Sequence, residues 1–435
     1  MKRPIPSRSS ATLCAVLASA FASLATSPAS SPSGDDELEP VTDNGIWPQW
    51  RGPARDGAAG GAPWPASLSE EHLREAWRVE DLGPSYSGPI VDAERVYTTE
   101  TVDEEREVVR AFDRNTGKEL WQVSWEGAME VPFFAARNGS WIRSTPAVDE
   151  DALYVAGIRD MLKCLDAATG EERWSIDFAT RFETDPPPFG CVCSPLVRGD
   201  DLFIQAGASL SKIDKRTGKI HWRVMIEDSD IMSRGSFSSP ILAEVSGQEQ
   251  LIAQSRTELA GLDPTDGSVL WSTPIKSFRG MAILTPTVYE DSIFTSAYGG
   301  RSHLFAVHAS EDGASVEEQW NVAEQAYMSS PVVIDGHAYL FLKSNRFACL
   351  DLATGEERWT SGPTRDSYWS LAFQDERILA LSDTGTLRLI EATPEEYRVT
   401  SEVDLTSDET WAHVAPVGEQ IFVREQETLV AYHWK

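Results

Sequence analysis

Asp113, Asp166, Asp214, Asp263 and Asp351 are each followed four residues later by a glycine, Gly117, Gly170, Gly218, Gly267 and Gly355. Eight residues after each Asp stands a tryptophan: Trp121, Trp174, Trp222, Trp271 and Trp359. This recurrence makes the chain a repeat protein, in which no unit buries its own apolar face and each must stack on the next. Each copy, best seen in Cys164 to Trp174, reads as the last hairpin of a small antiparallel sheet. The Asp accepts hydrogen bonds from N–H groups of the turn, and the glycine supplies the positive φ of the reversal. The Trp on the returning strand is too large for one sheet and is expected to pack between neighbouring sheets.

A second signature sets the length of the unit. Small residues precede a proline at Ser87-Gly88-Pro89, Ser144-Thr145-Pro146, Ser194-Pro195, Ser238-Ser239-Pro240, Thr285-Pro286 and Ser329-Ser330-Pro331, as suits the start of a strand. β-rich runs follow, such as Leu153-Tyr154-Val155 and Leu202-Phe203-Ile204, and then the hairpin, which makes four strands per unit. Successive prolines lie 45 to 57 residues apart, the spacing of propeller blades.

Three units depart from the pattern. In the fifth, His308 takes the Asp position and the Trp is delayed to Trp320. In the seventh, with strands at Ser370-Leu371-Ala372 and Arg377 to Ser382, Glu391 and Val399 replace Asp and Trp. The eighth starts at Ala415-Pro416 and reaches Leu429 to His433 without a fourth strand. A helical turn at Ser69 to Arg74 and a strand at Glu75 to Asp81, carrying Trp77, are surplus to the first unit and fit that gap. The expected fold is all-β: an eight-bladed β-propeller of four-stranded antiparallel blades, closed by an N-terminal strand that completes the last blade and removes its open edge.

The expected organisation is a signal peptide over 1–29, a disordered acidic linker over 30–43 and the propeller over 44–435. Lys2, Arg3 and Arg8 precede an apolar run from Ala11 to Ala25, with small residues after it, which marks export to the periplasm or cell envelope. Cys14 lies within that run, with Ala11 where a lipid-anchor motif favours Leu, which argues against lipidation. A net charge of −30 excludes nucleic acid and anionic membrane as direct partners. The opening at Trp47 to Gly57, dense in Gly and Pro, is neither helix nor central strand, and its two Trp are expected to anchor it.

The loops before the inner strands surround the mouth of the central channel. They carry Tyr86, Trp141, Arg143, Phe189, Arg234, Phe237, Arg279, Tyr327, Trp369, Trp411 and His413. Aromatic residues mixed with Arg suit a partner-binding surface, and they equally suit a plug of the channel. Cys191 and Cys193 fall at the same mouth, where a strained bridge across one residue, two reduced thiols or a pairing with Cys164 are all open. Cys164 and Cys349 share one repeat position and read as small buried hydrophobes. Glu183 with Asp185, and Asp228 with Asp230, give too few carboxylates for calcium and read as solvated loop charge. The repeated Asp residues are spread around the ring, so they are turn residues and no catalytic pair.

From Trp47 to Trp434 the chain resembles the secreted β-propellers built from pyrroloquinoline-quinone (PQQ) repeats, on the Asp-x-x-Thr-Gly-x-x-x-Trp hairpin and the Trp47 to Gly57 opening. That group includes quinoprotein dehydrogenases and the outer-membrane protein assembly factor BamB family. The dehydrogenases carry a vicinal Cys-Cys disulfide and set Glu, Asn and Asp around Ca²⁺, whereas this chain has Cys191-Val192-Cys193 and no Cys-x-x-Cys-His. The resemblance therefore implies a BamB-like, non-catalytic binding or assembly scaffold of the bacterial cell envelope. As such it is expected to be a monomer that engages protein partners through its loops, touches membrane only indirectly, and has no cofactor, metal or catalytic residue. The alternatives are a PQQ-dependent dehydrogenase with calcium at an atypical site, and a carbohydrate-binding propeller.

Overall fold

The computed structural model describes residues 45–133, 139–227, 235–310 and 313–435. The expected signal peptide, acidic linker, Cys14, Arg234, Asp228 and Asp230 lie outside them. The chain forms eight four-stranded antiparallel sheets, each running in sequence order from the channel outward, except the last. Among the described residues the strands are interrupted by a short α-helix at Phe178–Phe182, capped by Asp177, and a 3-10 turn at Phe278–Gly280.

The second blade shows why the repeat folds as it does. Its strands are Ala147–Asp149, Ala152–Gly157, Met161–Asp166 and Glu172–Asp177. The second is buried along its whole length, sandwiched between neighbouring blades, whereas the fourth is mostly open to solvent. In the turn, Asp166 Oδ1 accepts from Ala168 N, Thr169 N and Thr169 Oγ1 at 2.9–3.0 Å. Gly170, at φ +76°, donates back to Asp166 O at 2.8 Å. Just beyond, Cys164 faces Trp174 but Leu165 faces Glu172, so Arg173 is the extra residue of a β-bulge. The same shift recurs in the outer hairpins of the first seven blades and adds local twist.

Trp121 projects from the first blade onto the Gly170 turn and donates its indole N–H to Ala167 O at 3.1 Å. A Cβ at Gly170 would stand 2.6 Å from that ring, so glycine is required for contact as well as for φ. Trp77, Trp174, Trp222, Trp320 and Trp359 donate in the same way to a turn carbonyl of the next blade, at 2.8–3.2 Å. Trp271 is the exception. In the fifth blade His308 stands at the Asp position, and the Trp271 indole donates instead to Gln250 Oε1 of its own blade at 2.7 Å.

Leu73–Val79 pairs antiparallel with Leu429–Trp434 and completes the eighth blade. The strand starts two residues before the expected Glu75, because the turn is confined to Ser69–Leu73, where Ser69 O accepts from both His72 N and Leu73 N. The degenerate seventh blade is compensated by a segment the repeat pattern does not contain. Trp64 is buried in one apolar cluster with Leu379 and Leu387 of the seventh blade and Ile421 of the eighth, its ring tilted against Trp434 at 5.2 Å, whereas Val399 at the repeat's Trp position is exposed.

Candidate functional site

The small residues before each inner strand fasten the ring at its axis. Gly88 N donates to Thr145 Oγ1, Thr145 N to Ser194 Oγ, Ser194 N to Ser239 Oγ and Thr285 N to Ser330 Oγ, at 2.9–3.2 Å. Each bond joins one blade to the next. Where blades converge only small side chains fit, and the proline that follows brings no N–H needing an acceptor.

The opening segment occupies the channel below this ring. Trp47 exchanges backbone hydrogen bonds with Val91 at 2.8 Å, Pro48 O accepts from Val148 N, and Phe373 N donates to Gly57 O. Arg55 donates to Pro195 O at 2.8 Å and Ser194 O at 3.1 Å, while Arg51 donates to Pro331 O and to Asp56 O. Both guanidiniums are fully buried, and burial pushes them down to about 10 for Arg51 and about 9 for Arg55. They remain charged at neutral pH. Trp50 donates to Thr285 Oγ1 at 2.8 Å, and its ring meets His413 at 5.2 Å.

Above the segment lies a cup of about 410 Å³, within the range that holds a small ligand or a few side chains. Its wall is aromatic: Tyr86, Phe189, Phe237, Tyr327, Tyr368 and Trp411, with Trp50 below. Met281, Met328, Ile283 and Val192 fill the gaps, and Ser194, Ser239, Thr285 and Ser330 add hydroxyls. Phe189 meets Phe237 edge-on at 5.6 Å, and Tyr368 stacks on Trp411 at 5.8 Å. Among the described residues Arg143 is the one charged group lining the cup. Its guanidinium sits 5.0 Å over the Tyr86 ring and donates to Gly139 O at 2.7 Å. Burial pushes the Tyr86 hydroxyl up to about 12, so it stays a neutral donor.

Of the residues expected at the mouth, Tyr86, Arg143, Phe189, Phe237, Tyr327 and Trp411 line the cup, and Trp141 backs it at 5.2 Å from Tyr86. Three others do not belong to its lining. Trp369 opens the inner strand Trp369–Gln374 and points into the blade core against Phe347 and Arg388, so strand alternation gives the wall to its neighbour Tyr368. His413 is buried beneath, between Trp47 and Trp50; burial and nearby Arg51 lower it to about 3, and it stays neutral. Arg279 lies in the turn at φ +52°, over Phe278. Trp50, Tyr368, Met281 and Met328 were not expected; the legible signal was Trp50's place in a Gly- and Pro-rich stretch that had to anchor somewhere.

Cys164, Cys191, Cys193 and Cys349 are free and buried. Val192 faces the cup while its two cysteine neighbours lie behind the wall, where burial raises Cys191 well above the ordinary thiol range and Cys193 to about 11. Among the described residues no group of three or more His, Cys, Asp or Glu is placed to hold a metal ion, and no Asp, Glu or Asn lines the cup. The described lining therefore gives Ca²⁺, which requires several hard oxygens, only hydroxyl groups.

A family model described as outer membrane protein assembly factor BamB matches residues 105–361, more than half of the chain. The chain belongs to the BamB family. BamB of Yersinia pestis is 23% identical over 268 residues, covering 56% of this chain and 64% of that protein. The chain thus spans just under two thirds of that relative. BamB from Moraxella catarrhalis superposes with a TM-score of 0.59 at 13% identity, covering 83% of this chain and 98% of that one. A quinohemoprotein alcohol dehydrogenase from Pseudomonas putida gives 0.61 at 12% identity, covering 90% and 80%. At such identities both show the fold alone. The BamB match takes in Arg143, Phe189, Phe237 and Tyr327, whereas Trp50, Tyr86, Tyr368 and Trp411 lie outside it.

Proposed function

We propose that this propeller is a non-catalytic binding and assembly scaffold of the cell envelope, engaging protein partners at the loop face around the cup. One observation carries the reading: the ring's axial opening ends in a cup of aromatic side chains and methionines with, among the described residues, one guanidinium and no carboxylate or thiolate. Such a surface gives binding energy at small entropic cost, and among the described residues no His, Asp, Glu or Lys lines it to activate its hydroxyls. Membership of a family described by outer membrane protein assembly supports the envelope setting. Lys2, Arg3 and Arg8 ahead of the apolar run from Ala11 to Ala25 support export. Among the described residues no helix is long and apolar enough to cross a membrane.

The test is a pull-down from envelope extract with the native protein and with Arg143→Glu combined with Trp411→Ala. A partner captured by the first and lost by the second is expected, and identical captures would remove this face from the function. We propose that no quinone takes part. Tight quinone binding in the presence of Ca²⁺, with turnover of an alcohol and a dye, would replace the scaffold by a dehydrogenase.

A further inference from the structure

The charge around the cup is the reverse of the charge of the protein. In a chain of net charge −30, Arg51, Arg55 and Arg143 converge on one end of the channel, and among the described residues none has a carboxylate within ion-pair distance. Arg51 and Arg55 donate to main-chain carbonyls of residues that line or adjoin the floor, Ser194, Pro195 and Pro331. Arg143 spends one hydrogen bond on Gly139 O, and its buried Nε has no acceptor. Burying a guanidinium is costly, and Arg51 and Arg55 are fully buried, with the Asp56 carboxylate acting on Arg51 from beyond ion-pair distance, while Arg143 is half-buried.

The floor adds donors. Ser194 Oγ and Ser330 Oγ each accept an N–H from a neighbouring blade, which leaves their own O–H hydrogens to donate. Glu409, the carboxylate on the rim, accepts from the Trp411 indole at 2.8 Å. The rest of the wall is aromatic and aliphatic. Among the described residues one guanidinium, that of Arg143, lines the cup, and it matches one anionic group there.

We propose that the cup binds a single carboxylate carried on a large apolar or aromatic group. The carboxylate lies against Arg143 and the floor hydroxyls, and the apolar body lies among Phe189, Phe237, Tyr327 and Trp411. This rests on the reading of the loop face as the binding face and names what it recognises. The chemistry is shared by the C-terminal residue of a polypeptide ending in an aromatic side chain and by a free aromatic acid.

The test uses the full chain and a short acetylated peptide ending in phenylalanine, as free acid and as C-terminal amide, followed by calorimetry and tryptophan fluorescence. The acid is expected to bind about tenfold or more tightly than the amide, as for one charge-assisted hydrogen-bonded contact. Arg143→Met is expected to bring the acid down to the amide's level and leave the amide unchanged. The acid-to-amide ratio is read on the unaltered protein, so the test survives a variant that fails to fold. Competition by 3-phenylpropionate at the peptide's own affinity assigns the site to free acids, and much weaker competition assigns it to chain termini; either supports the site. Equal binding of acid and amide, or no binding of either acid at millimolar concentration, overturns it. Envelope partners that remain captured in excess 3-phenylpropionate and are lost only in the rim variants would leave the docking face standing without this specificity.

Discussion

Glu107 is the residue where burial and chemistry pull hardest against each other. It is fully buried between the first two blades, accepting from Ile158 N at 2.6 Å and Trp125 Nε1 at 2.9 Å. Desolvation outweighs those bonds and pushes its carboxyl up to about 7. With the folded value above the unfolded one, the carboxyl's contribution to stability is fully present below about 4.5 and lost as pH rises through about 7, by about 3 kcal/mol in all. Asp160, raised by burial to about 6, acts in the same sense. Denaturant unfolding at pH 5 and pH 8 should therefore show the protein less stable at the higher pH. Glu107→Gln should shrink that difference by about 3 kcal/mol without abolishing it. An undiminished difference would show that the carboxylate is already ionised in the fold.

Most elements were legible in the chain because each obeys a period. The Asp–Gly–Trp hairpins, the proline-led inner strands, the altered fifth and seventh blades and the closing strand all follow from counting residues between like positions. What escaped has no period. Trp64 and the segment from Trp47 to Ala59 occur once, and their partners are remote in sequence: Gln374 and Trp434 lie more than 300 residues from Trp64, and Pro195 and Thr285 lie well over 100 residues from Arg55 and Trp50. The cup was half legible for the same reason: loop position identifies which residues are near the axis, but the wall and core faces differ by one residue, as Trp369 and Tyr368 show. The importance of the unrepeated segment can be measured. Trp64→Ala should cost about 3–5 kcal/mol, as for a fully packed aromatic residue, and raise amide exchange selectively in the seventh and eighth blades. Trp64→Phe should cost much less, because the buried indole N–H has no acceptor to lose. Equal losses would mean that shape and not buried area matters at this junction.

At the scale of the molecule, one strand decides whether the propeller is a ring. Seven blades are continuous in sequence, and the eighth exists only because Leu73–Val79 returns to lie against Leu429–Trp434. Residues that start the ring and residues that end it share a sheet, so opening there exposes an unpaired edge and the axial segment together. The register provides a direct test. Arg74 lies opposite His433, both exposed, and directly opposed residues of an antiparallel pair stand about 4.5–5.5 Å apart between Cα atoms, within the span of a disulfide. Arg74→Cys with His433→Cys should oxidise spontaneously, free of the four buried native thiols. The bridge should stabilise the fold by about 2–4 kcal/mol, since it closes nearly the whole chain into one loop. Mass spectrometry reads the bond and thermal unfolding reads its effect. The pair Arg74→Cys with Tyr432→Cys, one residue out of register and on the opposite face of the sheet, should do neither. If both pairs bridge equally, the closing strand slides, and the ring is held by the axial hydroxyl bonds and the channel segment instead.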